Sequence, residues 1–126
     1  MIKIEDNVIH LTRGDATGTD YNVLAIQFPL SDGSLYTFKV GDKIRMTVFD
    51  KKGYTRRPIL SKEWTVAAAT TTPELPLTST DTKKFEQSNK KITYWYDIVL
   101  NDTTTLLGLD DEGAKKMIVY PESEED

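Results

Sequence analysis

The chain has 126 residues with no cysteine and a single histidine, and sets 16 lysines and arginines against 20 aspartates and glutamates. That length supports one domain with a substantial core, and the lack of cysteine excludes disulfide stapling, thiolate metal sites and cysteine nucleophiles. Four of the acids are Glu122, Glu124, Glu125 and Asp126, so the net charge of -4 belongs to the end of the sequence and the body before it is balanced, which gives no electrostatic reason to expect nucleic acid.

The opening Met1 to Asp6 has no signal-peptide apolar region, and no apolar run approaches the ~18 residues of a membrane span. The expectation is therefore a protein made in the cytosol without membrane insertion. Residues 1–121 are read as a single β domain and residues 122–126 as an acidic, disordered tail.

In chain order, Ile2/Ile4 and Val8/Ile9/Leu11 flank Glu5-Asp6-Asn7, a pattern that predicts a tight hairpin. Thr12 to Asp20 is rich in turn formers, with Gly14 and Gly18 free to take positive φ. Tyr21 to Phe28 reads as a buried strand ended by Pro29, which has no amide hydrogen for a ladder. After the turn Ser31-Asp32-Gly33-Ser34, Leu35 to Val40 alternates again and is expected to pair with it. Gly41-Asp42 predicts a second reversal, and Ile44, Met46 and Val48 then point to the core while Lys43, Arg45 and Thr47 face water.

Asp50 to Pro58 reads as a polar loop, and Ile59 to Ala69 as a strand around Trp64 and Val66. Ala67 to Pro76 is expected to be extended, because Thr70 to Pro73 and Pro76 oppose a helix. Thr80 to Phe85 suits one helical turn capped by Ser79 or Thr80. Ile92 to Leu100 carries the strongest signal. Ile92, Tyr94, Tyr96, Ile98 and Leu100 share one face, and the opposite face of Thr93, Trp95, Asp97 and Val99 is too apolar to be left in water. Asn101-Asp102 turns the chain, and Thr104 to Leu109 and Lys116 to Tyr120 supply two more strands. The pattern predicts an all-β, mainly antiparallel fold, a β-sandwich or partly open barrel of about seven to nine short strands with at most one helical turn.

Reactive chemistry is sparse. His10 lies between Ile9 and Leu11 with no Gly-x-Ser-x-Gly elbow anywhere, and reads as a strand residue with its ring at a sheet edge. Asp110-Asp111-Glu112 lacks the alternate-position spacing of a calcium loop and reads as a solvated turn. Lys51, Lys52, Arg56 and Arg57 around Tyr54 superficially suit phosphate and base contacts, but Asp50 adjoins them and the body has no excess of cations. Arg13-Gly14-Asp15 spells an integrin-type tripeptide and reads as a structural corner. No residue is assigned a catalytic, cofactor-binding or metal-binding role, and the protein is expected not to be an enzyme.

Three stretches carry a resemblance. Val8-Ile9-His10-Leu11-Thr12-Arg13-Gly14-Asp15, Tyr36 to Val48 with its Gly41-Asp42, and Tyr94-Trp95-Tyr96-Asp97-Ile98-Val99-Leu100 occur in that order. The set resembles small tail and baseplate proteins of phages and prophages of Gram-positive bacteria, including the N-terminal domain of baseplate upper proteins. The resemblance implies a β-sandwich-like virion component that self-associates or docks on another tail protein. Its motifs are strand-plus-turn signatures, with Arg13, Gly14, Asp15, Gly41 and Asp42 as structural turns. Separately, the apolar second face of Ile92 to Leu100 makes Trp95 and Val99 the places to look for an interface, with Asp97 between them read as a hydrogen-bond anchor for a nearby loop or subunit. After Leu100 the family's glycine-containing segment is replaced by Asn101 to Gly108, and no receptor-binding module follows Tyr120, which favours an assembly piece or adaptor. The competing expectation is a small carbohydrate-binding or accessory module that uses Trp64, Trp95 or Tyr54 as stacking platforms.

Overall fold

A computed structural model of the chain describes residues 1–50, 57–108 and 114–122. The all-β expectation holds. Among the described residues, seven strands form one sheet: β1 (Ile2–Glu5), β2 (Val8–Thr12), β3 (Lys43–Phe49), β4 (Pro58–Thr65), β5 (Ile92–Leu100), β6 (Thr104–Leu107) and β7 (Lys115–Tyr120), with one helical turn, α1 (Ser79–Thr82). Their order across the sheet is β1-β2-β7-β5-β3-β4, and β6 pairs separately with β5. All pairings are antiparallel except β2 with β7, where Ile9 lies opposite Met117 and Leu11 opposite Val119.

The hairpin of β1 and β2 closes through Asp6 and Asn7, both left-handed at φ 52° and 64°. Such a two-residue turn matches the right-handed twist of its strands. β5 is the hub, with β3 along one side. Along its other side lie β7 opposite Ile92 to Tyr96 and β6 opposite Ile98 to Leu100.

One face of the sheet carries the core. Ile2, Ile9, Leu11, Ile44, Met46, Val48, Leu60, Tyr94, Tyr96, Ile98, Met117 and Val119 are buried there. They are covered by Leu24, Ile26, Phe38, Val66, Leu75, Leu77 and Phe85, which arrive from connecting segments. This covering layer is extended chain joined by single bridges, Ala25 to Glu74, Pro29 to Leu35 and Phe38 to Thr70, and is not a second continuous sheet.

The two strands expected at Tyr21 to Phe28 and Leu35 to Val40 are therefore corrected to irregular extended segments. Their alternation was informative about side-chain direction: Leu24, Ile26 and Phe38 are buried, while Tyr21 stands 88% exposed. Their expected pairing survives only at the turn, where Tyr36 N–H donates to the Phe28 carbonyl (2.8 Å) and Leu30 N–H to that of Ser34 (2.7 Å). Ala67 to Pro76 is extended apart from turns, as expected, with Pro73 and Leu75 buried.

The helical turn begins one residue earlier than the proposed caps. Thr78 is the N-cap: its hydroxyl accepts the Asp81 N–H and the Asp81 carboxylate accepts the Thr78 N–H. The reciprocal pair satisfies two end groups that the helix leaves open. Asp81 also binds Lys62 of β4. Burial alone would raise the Asp81 pKa, but the Lys62 and Thr78 hydrogen bonds outweigh it and hold it below the ordinary carboxylate value.

β4 ends the sheet, and three features blunt its open edge. Pro58 begins it, the register with β3 shifts between Val48 and Phe49, and Lys62, opposite the buried Met46, brings a charge to the inner row. Proline, bulges and inward charges all discourage edge-to-edge pairing.

Candidate functional site

The other face of the sheet belongs to no core cluster. On β5 its residues are Thr93, exposed, and Trp95, Asp97 and Val99, half-buried. The register extends this row sideways: Trp95 lies between Phe49 of β3 and Lys116 of β7, and Val99 lies opposite Arg45. His10 lies opposite Ile118, which lies opposite Thr93. Val8, Phe49, Trp95, Val99 and Ile118 thus place apolar side chains on four neighbouring strands, each half-buried by its neighbours. None of the five belongs to the core cluster or is among the hydrophobic side chains packed against it, whereas the inner face is covered by the connecting segments. Charges frame the patch, including Lys116 and an Arg45 to Asp102 ion pair of 2.5 Å.

The structure brings Trp95, Asp97 and Val99 onto one surface as expected, and adds Phe49, Val8 and Ile118. These were missed because they join the patch only through strand pairing. Gly108 lies close to Asp97: a Cβ there would come within 3.5 Å of the Asp97 Cβ and 2.8 Å of the Thr105 methyl.

Arg13-Gly14-Asp15 is a corner knitted to α1. Arg13 is only 15% exposed. Its Nε donates to the Phe85 carbonyl (2.9 Å), one terminal nitrogen to the Lys83 carbonyl (3.1 Å) and the other to Glu122 (2.7 Å). Gly14 has φ +90°, and a Cβ on it would meet the Glu122 carboxylate at 2.7 Å. Its N–H donates to the hydroxyl of fully buried Thr82 (2.9 Å), which in turn donates to the Asp15 carbonyl (2.8 Å). The Asp15 carboxylate binds the Met1 amino group. Both charged side chains of the triplet are thus engaged within the chain. Glu122, placed with the tail on sequence grounds, is held by Arg13, while residues 123–126 lie outside the described residues.

Gly41 and Asp42 form the second corner. Gly41 turns at φ +94°, and the Asp42 carboxylate gathers three donors: Lys39 N–H (2.9 Å), Tyr36 hydroxyl (2.8 Å) and Asn101 amide (3.1 Å). Asn101 also accepts the Lys43 N–H (2.8 Å), so one carboxylate ties the entry to β3 to the turn after β5. The Lys39 backbone bond leads in holding the Asp42 pKa below its ordinary 3.8; burial opposes it, and the Asn101 and Tyr36 hydrogen bonds add to the lowering. Folding thus makes this carboxyl harder to protonate. Its stabilisation is complete above the unfolded value and lost as pH falls through the lowered one. Urea midpoints measured from pH 6 down to pH 2 should fall less steeply for Asp42→Asn than for the parent, and parallel curves would contradict the assignment.

His10 lies within the outer face, since β2 is flanked by β1 and β7, and not at a sheet edge as its sequence context suggested. Its Nδ1 is 3.0 Å from the Tyr120 hydroxyl and the two rings stack at 6.0 Å. Trp64 is turned to the inner side opposite Ile44, its indole N–H donating to the Pro76 carbonyl (2.8 Å) and its ring beneath Lys62. Of the tryptophans, Trp95 therefore sits on the outer face. Tyr54, Lys51, Lys52, Arg56 and Asp110 to Glu112 lie outside the described residues, and Arg57 pairs with Asp50 (3.3 Å).

Comparison with protein-family models, curated proteins and solved structures gives no match. Among the described residues, no group of three or more His, Asp or Glu side chains is placed to hold a metal ion, and no helix is long and apolar enough to cross a membrane.

Proposed function

We propose that the protein is a non-catalytic structural component of a phage or prophage tail or baseplate, working by self-association or by docking on another tail protein. The observation that carries this reading is the apolar row on the outer sheet face, which stands apart from the core cluster and centres on Trp95 beside Lys116. A face of this kind is stabilised by removal from water, and an aromatic at its middle is the usual anchor of a protein interface. The ordered motifs at Val8 to Asp15, Tyr36 to Val48 and Tyr94 to Leu100 supply the tail and baseplate part of the proposal. The well-tied corners at Arg13 and Asp42 suit a rigid building block.

Sedimentation at about 0.1 mM, where an association of about -5.5 kcal/mol is visible, is expected to show an oligomer. Trp95→Arg is expected to shift it to monomer while changing the urea midpoint by less than about 0.5 kcal/mol equivalent, as for an ordinary surface substitution. Mass spectrometry of purified particles from an induced host should contain the chain. A strict monomer that is also absent from particles would sink the reading.

A further inference from the structure

A groove of about 520 Å³ opens between β1 and the segment after Asn22, bounded by Ile4, Asp6, Ala25, Gln27, Leu106 and Leu107. Its size lies within the ~300–1,000 Å³ range of binding clefts. Its walls are two extended backbones that start paired and then part. At the closed end Ile2 N–H donates to the Asn22 side chain (3.0 Å) and Val23 N–H to the Ile2 carbonyl (3.2 Å), a parallel bridge.

Backbone groups of an extended chain point alternately to its two edges. Ile2 presents its N–H and C=O outward, so Ile4 does the same two residues on. On the opposite wall the Leu24 carbonyl accepts the Leu75 N–H (2.7 Å) and Ile26 N–H donates to the Pro73 carbonyl (3.2 Å). Ala25 and Gln27 must therefore turn their backbone groups the other way, towards β1. Those groups have no hydrogen-bond partner among the described residues. The groove thus has two facing edges with donors and acceptors at strand spacing, an apolar margin at Leu106 and Leu107, and at its mouth the Asp6 carboxylate, which has no ion pair among the described residues.

We propose that this groove accepts an extended peptide segment of a partner protein as an inserted strand, with an apolar side chain against Leu106 and Leu107 and a lysine or arginine beside Asp6. Main-chain bonds to both walls supply the affinity and the alternating side chains the selectivity, as in strand addition generally. The proposal rests on the docking reading above but uses a different surface from the Trp95 face, so the two can fail separately.

The test is a titration of the whole chain, followed through its backbone amide resonances, with acetyl-Val-Lys-Val-Lys-Val-amide and with the same peptide N-methylated at its central residues. The first peptide is expected to shift the Ile4, Ala25 and Gln27 amides and slow their exchange about tenfold, and the N-methylated peptide to do neither. Asp6→Asn, which tolerates the left-handed turn, should weaken binding up to about fivefold, the scale of an exposed ion pair. The same titration on Trp95→Arg should be unchanged. Absence of shifts at about 1 mM peptide, equal binding by the N-methylated peptide, or the same shifts produced by chitotetraose would overturn the proposal, the last by making the groove a glycan site.

Discussion

Replacing Arg13 by alanine should lower the unfolding free energy by about 2–4 kcal/mol, read as a fall in the urea midpoint at constant m-value. Three hydrogen bonds leave together: those to the carbonyls of Phe85 and Lys83 and that to Glu122. Each bond from a charged donor contributes on the order of 1.5–3 kcal/mol in isolation, but they share one side chain and are partly solvated, so they do not add. The Phe85 end matters most, because Phe85 itself is only 2% exposed and its ring packs on Tyr94 at 5.0 Å. Arg13→Lys should recover less than half of the loss, since an ammonium can meet Glu122 but cannot span the fork of acceptors that a guanidinium reaches. A midpoint unchanged within about 0.5 kcal/mol for the alanine variant would remove Arg13 from the list of anchors.

Phe38→Ala should cost more, about 3–5 kcal/mol, the usual range for deleting a buried aromatic ring. Phe38 is fully buried although it lies outside every strand. Its ring meets Tyr36 edge-on at 4.9 Å, and its backbone exchanges two hydrogen bonds with Thr70 (2.8 and 3.1 Å). If the covering layer were loose wrapping, the cavity would collapse cheaply and the loss would stay under about 1 kcal/mol. Calorimetry or urea unfolding separates the two outcomes, and a large loss places the irregular layer in the same cooperative unit as the sheet.

Period-two alternation was legible wherever a strand has one buried and one open face. Ile44, Met46 and Val48 of β3 and Tyr94, Tyr96, Ile98 and Leu100 of β5 fall on the inner side as their spacing required. The same signal overreached at Tyr21 to Phe28 and Leu35 to Val40. Alternation reports which side of an extended chain is buried, whereas a strand also needs a neighbour that stays in step, and these segments meet theirs at single bridges.

The corners at Gly14 and Gly41 were readable as turns because a glycine and an aspartate announce them locally. Their long-range ties were not, since Arg13 finds Phe85 and Glu122, and Asp42 finds Asn101, only after the chain has folded back. The apolar residues of the outer face followed the same divide. Trp95 and Val99 stand out within β5, while Phe49, Val8 and Ile118 acquire their place from strand order. The parallel pairing of β2 with β7 left no local trace at all.

That parallel pairing also sets the order in which the chain can be completed during synthesis. Ile9 and Leu11 are fully buried, and their strand is paired on one side by residues made almost immediately, Ile4 and Ile2. On the other side it is paired by Met117 and Val119. The hairpin of β1 and β2 can form early, on a timescale of microseconds, but it must wait with an unpaired inner edge until β7 leaves the ribosome. β3, β4 and β5 can assemble meanwhile, and the closing event joins two preformed parts across nearly the whole sequence. Topologies dominated by such distant pairings fold slowly. The interval before β7 arrives is therefore when the nascent chain is most open to mispairing, and when a chaperone would have most to protect.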